Sequence, residues 1–188
     1  MNHLYVLVLM VFGLPGNVVP GSPDAINDIY FKLENAKPSF DVFQKAYEGY
    51  MKIGKTHSLN SDKPLLTVID LNLPSNEKRL WVIDLKSNEI LFHTYASHGR
   101  NSGELYANKF SNIRGSCQSS LGFYITGNTY EGRNGYSMYL DGLEKDFNHK
   151  AFKLLFFTRS CSSCIHRVHF VTWEEDPDCH QSISENHP

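Results

Sequence analysis

The stretch RLWVIDLKSNEILFHTYA, residues 79–96, decides the fold. RLWVIDL (79–85) and EILFHTYA (89–96) are short runs rich in β-branched and aromatic residues, and KSN (86–88) between them is turn chemistry. Together they read as a β-hairpin. LLTVIDL (65–71) is a strand ahead of it, across a turn marked by Pro74, Ser75 and Asn76. A loop rich in Gly, Ser and Asn follows, from His98 to Ser119. SLGFYIT (120–126) and YSMYLDGL (136–143) are strands around the turn GNTYEGRNG, and AFKLLFFT (151–158) is one more. Short strands joined by polar turns predict a mainly β domain, an antiparallel sandwich or partly closed barrel.

Two helices precede the strands. Ser22-Pro23 is an N-cap with Pro at the first helical position, and Ile26, Ile29, Tyr30 and Leu33 recur on one face. Ser39 caps a second helix carrying Phe40, Phe43, Tyr47 and Tyr50, with Gly54 as its stop. Aromatics at that spacing predict core packing, not a cofactor box. The opening MNHLYVLVLMVFGLPGNVVPG has an apolar run, Leu4 to Leu14, too short to span a bilayer, with Gly16 and Gly21 near plausible cleavage points. It reads as a secretory leader, and the competing reading is a buried N-terminal strand or helix. No later run is long enough for a membrane helix. The organisation expected is a leader over 1–21, a helical preface over 22–60, a β domain over 61–158 and an irregular tail over 159–188.

Composition excludes some classes. With 18 basic and 20 acidic residues the net charge is -2, which gives no nucleic-acid footprint. Four Cys in 188 residues are too few for a disulfide-built mini-fold.

The middle of the chain carries more than periodicity. LWVIDL (80–85), SHGRNSG (97–103), FSN (110–112), SSLGFY (119–124), YEGRNGYS (130–137) and LDGLE (140–144) together resemble the murein L,D-transpeptidase catalytic-domain family, a branch of the YkuD-type fold. The preceding helices also fit the usual preface of that branch. The resemblance implies a β-sandwich-like domain on the outer side of a bacterial membrane, exported to the periplasm or cell envelope. It implies acyl transfer between peptidoglycan stem peptides: a Cys thiolate attacks, a His activates it, and backbone N–H groups hold the oxyanion. It implies no metal and no organic cofactor. His98, Tyr130 and Tyr136 are the expected substrate-cleft residues.

The resemblance then breaks. The family's next strand ends in a segment resembling A-I-V-F-H-A, followed later by G-R-S-x-G-C-P with the nucleophile. This chain reads LLFFTR, with Thr158 and Arg159 where His-Ala is due, and WEEDPDCHQ has no nucleophile turn. Cys117 lies where the family places no nucleophile. No catalytic residue carries over to a numbered position. The codon table offers a reason. Read from the third base, Phe157-Thr158 gives His or Tyr, Thr158-Arg159 can give Ala, and Trp173-Glu174 must give Gly. The expectation is a frame slip just before Leu154, with the catalytic end replaced and the enzyme inactive as translated. A non-catalytic cell-wall binding module is the alternative.

The Cys161, Cys164, His166, His169, Cys179 and His180 cluster has four readings: a zinc site, a disulfide, a thiol catalyst, or a polar end without function. A single CxxC with no shaping Gly argues against zinc. A disulfide would join Cys161 to Cys164 or involve Cys179. A polar end is the reading adopted.

Overall fold

The structure, a computed structural model, describes residues 6–11, 23–34, 36–57, 59, 63–113, 115–132, 135–144, 148, 153–161 and 164–172. Its elements in chain order are β1 (Val6–Val11), α1 (Pro23–Lys32), α2 (Phe40–Gly54), β2 (Leu65–Asp70), β3 (Lys78–Asp84), β4 (Glu89–Ala96), β5 (Gly122–Gly132), β6 (Gly135–Gly142), β7 (Lys153–Cys161) and β8 (Cys164–Thr172), with a 3₁₀ turn at Arg100–Ser102. For β1, β7 and β8 the description is of backbone pairing.

The strands form two antiparallel sheets, β1-β2-β3-β4 and β5-β6-β7-β8. Two short parallel seams join them: Leu7–Met10 against Gly122–Ile125, and Tyr95–Ala96 against Arg167–Val168. The mainly β sandwich or partly closed barrel with two N-terminal helices is therefore what the chain forms. Strand directions give the barrel two unlike ends. At one end β2, β4, β6 and β8 finish and β1, β3, β5 and β7 begin; the long 97–121 loop lies here, and we call it the loop end. The other end carries the tight β3–β4, β5–β6 and β7–β8 connections and is the turn end.

β2 shows why LLTVID is a continuous apolar run: it is covered on both faces. Alternate residues split between two clusters. Leu66 and Val68 join Trp81 and Ile83 of β3 against Ile26 and Leu33 near α1 and Val42, Phe43, Ala46 and Ile53 of α2. Ile69, Leu71, Leu80, Ala96, Tyr124 and Leu140 form the other cluster, inside the strand layer. Burying such side chains stabilises by about 1.5–3 kcal/mol each, which is what holds the helices to the sheet. A Cβ on Gly49 would strike the Phe123 ring, so α2 crosses β5 with no room for a side chain there. Trp81 Nε1 donates to the Ala36 carbonyl (2.6 Å), tying the helix–helix connector to β3. Trp81 also stacks on its cross-strand neighbour His93, centroids 5.0 Å apart.

Several sequence expectations land differently. Ser39 sits at the N-cap of α2 without a side-chain capping bond; its carbonyl accepts from Phe43 N–H (3.0 Å) instead. Ser22 lies outside the described residues. The apolar opening contributes a strand, Val6–Val11, between β2 and β5. Gly16 and Gly21 lie outside the described residues. β8 pairs along β7 from Cys164 to Thr172. Residues 173–188 lie outside the described residues. Among the described residues no helix is long and apolar enough to cross a membrane.

Candidate functional site

The loop end is organised by one buried cation. Arg79, at the start of β3, is fully buried. Its Nε donates to the Ala96 carbonyl (2.9 Å), Nη1 to the Leu73 carbonyl (2.6 Å), and Nη2 to His98 Nδ1 (2.7 Å). A guanidinium can only donate, so Nδ1 of His98 accepts and the ring proton sits on Nε2. Nε2 then donates to the Gly103 carbonyl (3.1 Å). One Arg thus joins the β2–β3 turn, the end of β4 and the SHGRNSG loop. Burial lowers the Arg79 pKa to about 10, with Asp70 opposing, so the group is charged at neutral pH. Burial raises the Asp70 pKa, while Asn72, which donates to its Oδ1 from backbone (2.9 Å) and side chain (3.0 Å), pulls the other way, as does Arg79.

The 97–121 loop folds back on itself through serines. Ser119 N–H donates to Ser102 Oγ (2.7 Å), and Gly99 N–H donates to Ser119 Oγ (2.8 Å). Asn101 N–H donates to the Cys117 carbonyl (3.0 Å). Ser120 Oγ hydrogen-bonds Asn112 Oδ1 and Tyr124 Oη. Burial pushes the Tyr124 phenol up to about 12, against hydrogen bonds from Ser120 and Asn148, so it stays protonated. Cys117, at φ 52, is disulfide-bonded.

The SSLGFY step is locked from below by LDGLE. Glu144 Oε2 accepts from Phe123 N–H (2.9 Å) and from Asn148 Nδ2 (2.9 Å). Asn148 Nδ2 also reaches the Phe123 carbonyl (3.1 Å), and its Oδ1 accepts from Glu144 N–H (2.8 Å). Gly122 stands at the centre with φ +115, and a Cβ there would run into Glu144 Oε2 and Asn148 Nδ2. Gly122→Ala is therefore expected to cost about 2–4 kcal/mol, from the left-handed backbone and the overpacking together. A denaturant titration with unchanged slope and a lowered midpoint checks it.

Of the expected cleft residues, His98 lies at the loop end with both ring nitrogens engaged internally. Tyr130 lies toward the turn end, opposite Ser137, and stacks on Tyr139 with centroids 4.6 Å apart. Tyr136 opposes Glu131 in the same part of the hairpin. The structure thus separates His98 from the two tyrosines along the strand direction. A shallow groove of about 500 Å³ opens beside the SHGRNSG loop, lined by Arg100, Asn101, Glu104, Asn108, Lys109 and Gln118 among others. Its lining thus carries two cations, one carboxylate and three amides. Among the described residues there is no group of three or more His, Cys, Asp or Glu able to hold a metal ion. The side chains of Cys161, Cys164, His166 and His169 lie outside the description, as do Cys179 and His180.

The motifs and the fold agree with one comparison. The family model for the L,D-transpeptidase catalytic domain, YkuD_2, matches residues 34–163. The chain belongs to this family. No curated protein and no solved structure matches it. The family match runs from the end of α1 into the β7–β8 connection, and so takes in both ends of the barrel. In this L,D-transpeptidase-type domain Thr158 and Arg159 fall within β7, Thr158 facing Arg167 across the ladder.

The state of His98 sets a pH dependence. Its pKa is lowered, first by burial and then by the Arg79 charge, with the bonds to Gly103 and Glu104 opposing. His93 is lowered too, mainly by burial. The unfolded chain takes up these protons near 6.5, before the folded protein does. The stability held by neutral rings is thus complete above about 6.5 and lost as pH falls through the folded values. The urea midpoint should drop between pH 7.5 and 5.5, and the His98 ring resonances should titrate below the ordinary imidazole value. A midpoint that does not fall over this range would contradict the arrangement.

Proposed function

We propose that this chain is an exported cell-envelope domain that recognises peptidoglycan stem peptides but does not perform acyl transfer in its present sequence. The family acts on peptidoglycan. The observation that carries the inactive reading is the sequence itself: LLFFTR stands where the family's His strand is due, and WEEDPDCHQ has no Gly-Cys nucleophile turn. The imidazole of the SHGRNSG motif, His98, has both nitrogens engaged, and Thr158-Arg159 stands where the family places His-Ala. The 97–121 groove supplies Arg100 and Lys109 for carboxylates of a stem peptide and amides for its backbone.

A carbapenem acylates the thiolate of a working enzyme of this kind and is read as a mass shift. The expected result is no adduct, with retained binding to isolated sacculi. An adduct mapped to any cysteine of this chain would overturn the inactive reading, and loss of sacculus binding would remove the module reading. The same proposal attributes the missing motifs to a frame slip before Leu154. The DNA downstream of Asn148, translated in all frames, should encode a His followed by a Gly-Cys turn; if no frame does, the slip is wrong. Export is supported by the apolar run at Leu4–Leu14, and fractionation that asks whether the chain is recovered from the cell envelope with its Val6–Val11 strand retained tests it.

A further inference from the structure

We propose that protonation of His98 releases the 97–104 segment from the barrel while the strands stay paired, so that the 97–121 groove is assembled at neutral pH and opened in acid. The starting observation is a hydrogen bond that can run in one direction only. Arg79 Nη2 stands 2.7 Å from His98 Nδ1. A guanidinium has no acceptor, so the bond exists only while Nδ1 keeps its lone pair. The other ring nitrogen already donates to the Gly103 carbonyl (3.1 Å). A proton added to the ring therefore goes to Nδ1, where it sets N–H against N–H and charge against charge.

The surroundings do not replace that bond. From β3 the ring meets Arg79, and from β2 Asp70 acts on that guanidinium. Its own loop carries Arg100, Glu104 and Lys109, all exposed. Burial first and Arg79 second disfavour the charged ring, and only the backbone of Gly103 and Glu104 favours it. The ring takes a proton more readily outside its seat than in it, so acid drives it out. Arg79 keeps its bonds to the Ala96 and Leu73 carbonyls when the ring leaves, which holds β3, β4 and the β2–β3 turn together. The freed segment is anchored on both sides. Ala96 and Ala107 are buried in the inner cluster, and the Leu105 carbonyl accepts from Ser75 N–H (2.9 Å). Gly103, at φ +146, supplies a hinge between the anchors. The groove wall from Arg100 to Glu104 lies wholly within the segment.

Five amides depend on the segment. Gly99 N–H donates to Ser119 Oγ, Asn101 N–H to the Cys117 carbonyl and Ser102 N–H to the Gly99 carbonyl. Asn108 and Lys109 N–H both donate to the Ser102 carbonyl. The β2–β3 ladder is independent of it. An opening that frees an ordinary imidazole becomes about tenfold more frequent per pH unit below about 6.5, until the seated ring itself titrates. The consequence for binding rests on the groove reading under the proposed function; the release itself does not.

Amide hydrogen exchange on the full chain, followed by NMR from about pH 7.5 to 5 and corrected for the intrinsic rate, tests the release. The five loop amides should hold constant protection above about 6.5 and lose it about tenfold per pH unit below, while the β2–β3 amides stay more protected throughout. His98→Asn offers a neutral acceptor in place of Nδ1 and should flatten that slope; His93→Gln should leave it. A wild-type slope of zero, or loop and ladder amides sharing one protection, would overturn the proposal, and both are read without any variant. A slope that survives His98→Asn would overturn it as well. Binding to isolated sacculi should fall by about half at the pH where the His98 ring resonances show half protonation. Binding that holds level there, with the exchange slope present, would overturn the opening of the groove. Sacculi bound at no pH would sink the groove reading, and the exchange slope would still decide the release.

Discussion

Arg79→Met is expected to destabilise the domain by about 3–5 kcal/mol, a large part of the roughly 5–15 kcal/mol that holds a typical domain together. Methionine keeps an unbranched apolar stem but is shorter and has no donors. Three acceptors lose their partner at once: the Ala96 and Leu73 carbonyls and Nδ1 of His98. Asp70 also loses the charge that opposes its burial. Arg79→Lys keeps the charge but as a point donor, which cannot serve three acceptors in a fork, and should recover only part of the loss. A second readout separates this network from mere packing. With the guanidinium gone, the His98 pKa should rise toward its ordinary value, because one of its two depressing causes is removed. A loss under about 1 kcal/mol, with His98 unmoved, would mean that the three bonds are replaced by water at little cost.

Removing residues 1–21 is the second large effect. β1 pairs with β2 from Val6 to Val11 and with β5 from Leu7 to Met10. Its loss opens the ladder on both sides. At about 1 kcal/mol per backbone hydrogen bond the penalty approaches the whole stability of a small domain. β2 would become an edge strand although it is apolar on both faces. A chain starting at residue 22 should lose its cooperative thermal transition, or regain one only on associating with a second strand. Light scattering alongside circular dichroism distinguishes the two. A monomeric 22–188 chain with an unchanged transition would show that the slot contributes nothing to folding.

The hairpin over 79–96 was fully legible, because alternating β-formers around a turn admit few other conformations. So were the two helices, whose aromatic spacing faces the sheet as expected. Arg79 was not legible as an organiser. A charged residue at the start of a strand reads as a polar boundary, and only the return of β4 and the loop around it makes it buried. Asn148 and Glu144 were missed for a related reason. Their partners at 121–123 are more than twenty residues away, and no local pattern announces an amide that closes another strand. His98, Tyr130 and Tyr136 were grouped because they share a family motif set. Strand direction divides them, since β5 carries Tyr130 away from the end at which His98 sits. The CxxC and histidines were read as a polar end, and the backbone of Cys164–Thr172 pairs along β7.

The position of β1 also has a meaning in time. Val6–Val11 is among the first segments to leave the ribosome, but its partner β2 begins at Leu65 and β5 at Gly122. At 5–20 residues per second, the β5 side of the slot does not exist until on the order of ten seconds after the run has emerged. During that interval the run can pair with β2 alone, and its other edge stays open. Only once synthesis is nearly finished can it be taken into the barrel. One short strand thus waits for partners made much later, and the order of synthesis decides when its two edges close.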